Sequence, residues 1–422
     1  MDGTIVKSEI YDHVTDTEMQ NMPFASWYGT YGSSGDLSGL RNRPVKLTTI
    51  TQATSAQSLE SSDRFFLRVE SFDALAQPVT TRRYSSQGHS RSDQRLYQDG
   101  SALWTLGLVR KLTNLDSGLV ESQTDYDATT ALPLKVHAFG RLQQTLTYNA
   151  DGTLASVSDG RDGTDVDTTV TLSSWKRGIP QLILHPATAD QPSGALQSAV
   201  VDDLGQITSV TDENDFTTSY GYDAMGRLSS IRYPDGDNVG WNPVTLSFQQ
   251  IPVEEHGLPA GHWRSSRYEG NHHYNAYYDA MWRPVLEERF DVGTIGATLS
   301  QVVKRYDASG RLAFQSYPAR GVGSFLDPAL TGVRTEYDAL DRVTAIRQDS
   351  ELGVLTTAIA YLPGFRRQTT NPRNQVTTER FQVFDVPSFD FPVQIDLPEN
   401  VRTTIARDVF GKPLSVGRGS GG

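Results

Sequence analysis

Apolar and polar residues alternate with a period of two over much of this chain, the pattern of strands that bury one face. In RLSSIRYPDG (227–236), Arg227, Ser229, Ile231 and Tyr233 fall on one face and Leu228, Ser230 and Arg232 on the other, and the run stops at YPDG. Pro, Asp and Gly there supply the backbone angles of a tight turn. Residues 101–160 read as further alternating strands separated by Gly and Asn-Asp turns. No stretch beyond about residue 140 carries the 3.6-residue period of an amphipathic helix. The predicted elements are β-hairpins, and the predicted class is all-β.

The hairpins carry a recurring corner. YDAMGRL (222–228) returns as YDAMWRP (278–284), YDASGRL (306–312) and YDALDRV (337–343), with weaker copies VDDLGQI (201–207), YNADGTL (148–154) and DVFGKPL (408–414). The acidic positions are 21 apart from Asp202 to Asp223, 28 from Asp279 to Asp307 and 31 from Asp307 to Asp338, an irregular repeat of hairpin size. A second signature, a polar turn followed by a Thr-rich strand and an aromatic-Asp pair, links VTDENDFTTSYGYD (210–223) to TTNPRNQVTTERFQVFD (369–385). Turn chemistry assigns the roles. Asp223 accepts hydrogen bonds from backbone N–H groups two or three residues on, Gly226 supplies a positive φ, and Tyr222 packs against a cross-strand neighbour. Arg227 pairs with Asp223 or with the next hairpin, and Asp279/Arg283, Asp307/Arg311 and Asp338/Arg342 repeat the spacing of four. The motif residues are thus Tyr222, Asp223, Gly226, Arg227, Tyr278, Asp279, Arg283, Tyr306, Asp307, Gly310, Arg311, Tyr337, Asp338 and Arg342. A constellation that drifts from copy to copy and recurs once per hairpin is a turn rather than an active site.

Composition narrows the function classes. With 38 Lys and Arg against 50 Asp and Glu the net charge is −12, and no long block of one sign interrupts the chain, which argues against nucleic-acid and anionic-membrane surfaces. The absence of cysteine excludes disulfides, thiol catalysis and thiolate metal sites. The N-terminus lacks the basic and apolar regions of a signal peptide, and no apolar run approaches the ~18 residues of a membrane span. No cofactor and no metal are expected.

At the repeated YDxxGR corner the chain resembles the RHS-repeat, or YD-repeat, family, most specifically over residues 140–416, and its wording is similar to bacterial wall-associated RHS proteins. The resemblance implies YD-repeat hairpins in a spiralling antiparallel sheet that forms part of a hollow shell or barrel. Such shells enclose a C-terminal toxic domain in related bacterial proteins and serve adhesion in teneurins. The implied role is a non-catalytic segment that encloses, exports or displays a polypeptide, secreted or at a bacterial cell surface, with the remainder of a longer RHS polypeptide or an enclosed toxin domain as partner. The autoproteolytic DPxGxxGG element of many members has no counterpart, since LDPAL (326–330) has the Asp-Pro pair without the glycines. The expected organisation is an irregular segment at 1–64, a β region at 65–140 continuous with the shell, the repeat sheet at 141–416 and a flexible tail at 417–422.

Other chemistry is weighed against this reading. His272 and His273, near Glu269, Asp279 and His262, are adjacent on a strand and so point to opposite faces, which suits packing better than a shared metal. Glu254, Glu255 and His256 have no partner at zinc-ligand spacing. YGSSGDLSG (31–39) lacks the strand–helix setting of a nucleophile elbow. The acidic turn SDGRDGTDVD (158–167) lacks an EF-hand's helices and closing Glu. Trp241, Trp263, Tyr277, Tyr278 and Trp282 cluster between 233 and 282; Trp241, Trp263 and Trp282 are candidate contacts to a cell-surface glycan, the basis of an alternative reading as a carbohydrate- or protein-binding module.

Overall fold

The computed structural model describes residues 7–25, 43–53, 62–100, 104–161, 166–236 and 239–420. Among the described residues, thirty antiparallel strands make a meander in which consecutive strands pair. Among the described residues β1 pairs with β2 alone and β30 with β29 alone, so the sheet is not closed.

The chain divides into two compact units, 1–145 with 337–344 and 357–422, and 146–336 with 345–356. The first contains β1 (Lys7–His13), α1 (Asp16–Met19), β2 (Val45–Gln52), β3 (Asp63–Phe72), β4 (Pro78–Ser85), β5 (Ser90–Gly100), β6 (Thr105–Asn114), β7 (Val120–Tyr126), β8 (Pro133–Ala138) and most of β9 (Arg141–Tyr148). The second contains β10 (Leu154–Asp159), β11 (Val170–Lys176), β12 (Ile179–Leu184), β13 (Leu196–Val201), β14 (Ile207–Thr211), β15 (Thr217–Tyr222), β16 (Leu228–Arg232), β17 (Val244–Gln250), β18 (Trp263–Glu269), β19 (His272–Tyr278), β20 (Pro284–Asp291), α2 (Ile295–Thr298), β21 (Ser300–Tyr306), β22 (Leu312–Ser316) and most of β23 (Gly332–Tyr337). The unit boundaries also cross β24 (Val343–Ser350) and β25 (Gly353–Leu362); β26 (Arg366–Thr370), β27 (Val376–Phe381), β28 (Pro392–Leu397), β29 (Val401–Arg407) and β30 (Pro413–Ser420) return to the first unit.

Two sequence expectations change here. Residues 1–64 are not wholly irregular: β1 and β2 pair over seven positions, and α1 is closed by a capping box in which the Thr15 side chain meets the Glu18 N–H while Glu18 meets the Thr15 N–H. Residues 417–420 are not a tail but the end of β30, with Thr403↔Arg418 and Val401↔Ser420 in register. A low-complexity GRGS run adopts strand geometry because β29 supplies its backbone partners; residues 421–422 lie outside the described residues.

In a meander the connections alternate between two rims, those after odd-numbered strands and those after even-numbered ones. Within the first unit these rims meet. The β25–β26 connection lies on the start of β3, where the Asp63 carboxylate accepts from the Gly364 and Phe365 N–H groups (3.2 and 3.0 Å). The β27–β28 connection lies on the β4–β5 turn: Ser85 Oγ donates to the Val383 carbonyl (2.8 Å), and the Val383 N–H donates to His89 Nδ1 (3.2 Å). The β29–β30 corner puts Phe410 edge-on to Phe139, with ring centroids 5.2 Å apart, and under Arg91. Phe65, Phe365, Phe381, Val383 and Ile50 fill the join. Residues some 300 positions apart in sequence thus form one core. Beside it, fully buried Asp93 is held by Arg91 (3.0 Å) and Asn114 Nδ2 (3.1 Å).

Elsewhere the strands are thinly covered: the five residues of β16 alternate between exposed and half-buried, and all eight of β30 are exposed. The second unit has its own core of Leu258, Tyr277, Val285, Leu286, Val303 and Val322, where the β17–β18 and β22–β23 connections fold over one face of β18–β21.

Candidate functional site

The YD corner is a bulged hairpin turn. Asp223 N–H donates to the Arg227 carbonyl (2.9 Å) and Gly226 N–H to the Asp223 carbonyl (2.9 Å), while Asp223 Oδ1 accepts from the N–H groups of Met225 and Arg227 (both 2.9 Å). The carboxylate therefore bonds residues two and four on, not two or three. Asp223 Oδ2 takes the Arg227 guanidinium at 2.7 Å. Asp279/Arg283, Asp307/Arg311 and Asp338/Arg342 repeat each of these contacts. The Arg227 backbone N–H, and then its guanidinium, hold the Asp223 carboxyl below the usual carboxylate range. A positive φ three residues past the acid (+77° at Gly226, +84° at Gly310) survives the loss of glycine, at 62° in Trp282 and 61° in Asp341. The geometry outlasts the sequence signature.

Consecutive corners are tied together. Tyr222 Oη donates to the Ile207 carbonyl (2.8 Å) and Tyr306 Oη to the Pro284 carbonyl (2.9 Å), each five positions past the acid of the preceding YD-type corner on the same rim. Arg283 stacks over Tyr306 at 4.6 Å and Arg342 over Tyr361 at 4.0 Å. An ion pair within one corner and a cation–π contact to the next thus use the same guanidinium.

One corner, at Asp73, escaped the sequence reading, and two more, at Asp212 and Asn371, were legible only as the polar turns of the second signature. Asp73 accepts from Leu75 and Gln77 N–H with Ala76 at φ 61°, and Asp212 and Asn371 do the same with Asp215 and Asn374 at 64° and 60°. FDALAQP (72–78) has Phe for Tyr, Ala for Gly and Gln for Arg, leaving the Asp and the hairpin length as its signal.

On one face of β17–β19 the register Gln250↔Trp263↔Tyr278 and Phe248↔Ser265↔Ala276 gathers an aromatic group. Phe248 stacks on Trp263 (5.0 Å) and Trp282 (5.6 Å), meets Tyr278 edge-on (5.8 Å) and lies under Arg227. It borders an open cavity of about 280 Å³ lined by Arg227, Leu246, Ser265, Arg267 and Tyr274. Trp263 and Trp282 come together; Trp241 packs separately with Tyr233 (5.9 Å).

The opposite face buries a polar row that the sequence did not announce. Ser266, Asn275, Glu288 and Gln301 are successive register partners across β18–β21, all buried. Glu288 Oε1 accepts from Asn275 Nδ2 (2.9 Å) and Tyr277 Oη (2.7 Å), and Oε2 from Gln301 Nε2 (3.0 Å). Gln301 Oε1 accepts the Val322 N–H (2.8 Å), and His256 Nδ1 donates to the Val322 carbonyl (2.7 Å), fastening the covering connections to the sheet. Burial, and then the bond to Glu288, push the Tyr277 phenol up, so it stays a neutral donor. A carboxylate committed to three neutral donors under a covering loop ties that loop to the sheet.

The remaining candidates stand apart. His273 packs against Tyr268 (4.1 Å) and Phe290 (5.3 Å), while exposed His272 lies on the other face. His262 Nε2 lies 3.4 Å from Glu255, which Arg264 also holds at 2.8 Å. Glu254 accepts the Gly257 N–H (2.7 Å). Asp159 pairs with Arg161 (2.6 Å) at the edge of the acidic turn, whose residues 162–165 lie outside the described residues, as does the loop 31–39. Among the described residues no three His, Asp or Glu converge as a metal would require, and no helix is long and apolar enough to cross a membrane.

Comparison with known proteins agrees with the corner geometry. Residues 201–237, spanning the Asp202, Asp212 and Asp223 corners, match the family model described as RHS Repeat, so the chain carries an RHS repeat. No curated protein matches it. Among solved structures, 98% of the chain superposes on a chain of the TcdB2-TccC3-Cdc42 crystal structure with TM-score 0.55 at 11% identity, a likeness of fold. The Photorhabdus luminescens Tc holotoxin pore is a more distant likeness, with TM-score 0.39, 11% identity and 98% coverage. The chain spans 26% and 20% of the length of those two chains.

Proposed function

We propose that this chain is a non-catalytic segment of an RHS-type shell, whose hairpins and rim contacts build a wall that encloses, exports or displays another polypeptide. The rim-on-rim join of the first unit carries the reading: it stacks one run of hairpins on another through backbone groups and buried phenylalanines, which is how a thin sheet becomes a wall. The corner acids are engaged by their own turns, which suits a scaffold and leaves them no free carboxylate for hydrolysis. The partners proposed are the remainder of a longer RHS polypeptide and an enclosed toxin-like domain, and the location is outside a bacterial cell or on its surface.

Limited proteolysis of the gene product containing this chain tests the proposal. An enclosed segment stays intact until the sheet is unfolded; a segment cut equally fast in native and unfolded protein counts against enclosure.

One observation favours a second reading, a surface module that binds glycans: Phe248, Trp263 and Trp282 stack beside a cavity that presents Arg227, Arg267 and Ser265. A glycan array decides it. Binding that survives Trp263→Ala and Trp282→Ala, or no binding at all, removes this reading.

A further inference from the structure

We infer that the rim-on-rim join of the first unit is closed by an acid-sensitive latch, in which protonation of His89 removes the acceptor that holds Val383 and frees the β27–β28 connection from the β4–β5 turn. Both backbone groups of Val383 are held by that turn: its carbonyl accepts from Ser85 Oγ (2.8 Å) and its N–H donates to His89 Nδ1 (3.2 Å). A backbone N–H can only donate, so Nδ1 carries a lone pair and the imidazole is neutral, with its proton on Nε2. An imidazolium carries a proton on both nitrogens, so even turning the ring over offers Val383 no acceptor. Val383 is 2% exposed, and in the closed join water cannot take the acceptor's place. The same ring packs edge-on against Phe384, with centroids 6.4 Å apart.

The surroundings of the ring set the sign. Burial pushes the His89 imidazole below its ordinary value, so the closed join favours the neutral form. The latch is complete above the ordinary histidine value of about 6.5 and is lost as pH falls from there through the lower value of the closed state. Among the described residues no carboxylate pairs with the ring to offset this. Asp93 on β5 and Glu121 on β7 are bound by Arg91, and Asp385, two residues past Val383, lies 3.9 Å from Arg83 on β4. Asp63 on β3 reaches the same turn through Gln87 Nε2 (2.8 Å), but burial pushes its carboxyl up, so its protonation favours the closed join and acid opening does not come from it. The turns outlast the latch. Thr129 and Thr130 hold the Asp127 carboxyl of the β7–β8 turn well below the carboxylate range, so that turn keeps its charge where His89 gains one. Val383 belongs to the core of Phe65, Phe365 and Phe381, and its release uncovers one side of the join while the hairpins stay folded. The inference does not depend on enclosure of a cargo.

Amide exchange on the 422-residue chain at about pH 7 and about pH 5.5, expressed as protection factors so that the intrinsic pH dependence of exchange cancels, provides the test. Protection over 382–391 should fall between the two, by at most about tenfold per pH unit, while amides of β7 and β8 keep theirs. His89→Asn places an acceptor near the position of Nδ1 and cannot gain a proton, so it should keep the protection seen at neutral pH and lose the pH dependence; His89→Ala should be weakly protected at both. The ring 15N shifts of His89 in the wild type at neutral pH give a second readout, with a proton on Nε2 and none on Nδ1 expected. Equal protection of 382–391 at both pH values overturns the inference, as does a proton on Nδ1. So does a fall that His89→Asn shares, which would assign the titration to another group, or one that β7 and β8 share, which would be unfolding rather than release of a latch.

Discussion

Glu287 and Glu288 are neighbours on β20 that face opposite ways, and their removal should have very different consequences. Glu288→Ala deletes the shared acceptor of Asn275, Tyr277 and Gln301, and buried donors are not rehydrated freely once their partner is gone. Each stranded donor costs about 1–3 kcal/mol, and relief of the carboxylate's own desolvation offsets part of the sum, so about 3–5 kcal/mol is expected. Glu288→Gln keeps one carbonyl oxygen but turns an amide nitrogen toward Gln301 Nε2. Gln301 cannot turn its own amide without losing the Val322 N–H, so about 1–2 kcal/mol is expected. Glu287→Ala breaks a partly exposed pair with Lys304 and should cost under about 1 kcal/mol. Urea unfolding followed by tryptophan fluorescence gives the totals, and amide exchange over 272–303 shows whether the loss is local. Equal effects at 287 and 288, or a loss below about 1 kcal/mol for Glu288→Ala, would refute the account of the polar row as the tie between covering loops and sheet.

Three further outcomes are expected. Gly226→Val places a β-branched residue at φ +77° and should destabilise its hairpin by about 1–2 kcal/mol in thermal unfolding, whereas Ser309→Val, one position before Gly310 in its own turn, should stay within about 0.5 kcal/mol. Phe381→Ala empties a fully buried site of the join and should cost about 3–5 kcal/mol in urea melts, with amide exchange rising in both β3 and β26–β27; loss confined to β27 would argue against one shared core. The Asp223, Asp279 and Asp307 carboxyls are held below their ordinary values, so their contribution is complete above the unfolded carboxylate range and is lost as pH falls through the lower folded values. Stability of the second unit, which holds all three, measured from pH 7 downward should therefore be flat and then drop below about pH 4, and a constant midpoint across that range would contradict the assignment.

The corner was the most legible part of the molecule. Asp223, Gly226 and Arg227 lie within five residues, and their bonds close within the same turn, so spacing alone exposes them. Asp73 was missed because the feature that persists there is a backbone conformation, φ 61° at Ala76, which no side-chain letter records. The aromatic group was half legible: a cluster of tryptophans is visible in the letters, but that Trp263 and Trp282 share Phe248 while Trp241 does not depends on strand register.

What the sequence determined by itself was everything short-range: an all-β chain, hairpins closed by Asp-anchored turns, and alternation that gives each strand two faces. These follow from local sterics and hydrogen bonds between residues a few positions apart, which any one copy of the repeat contains. The tertiary structure decided which of those faces and turns are covered. Glu288 became a buried tie because two long connections fold over its face, and Phe65 entered a core because strands about 300 residues later stack upon it. Burial of that kind depends on which distant segments meet, and alternation along the chain records only that a face exists to be met.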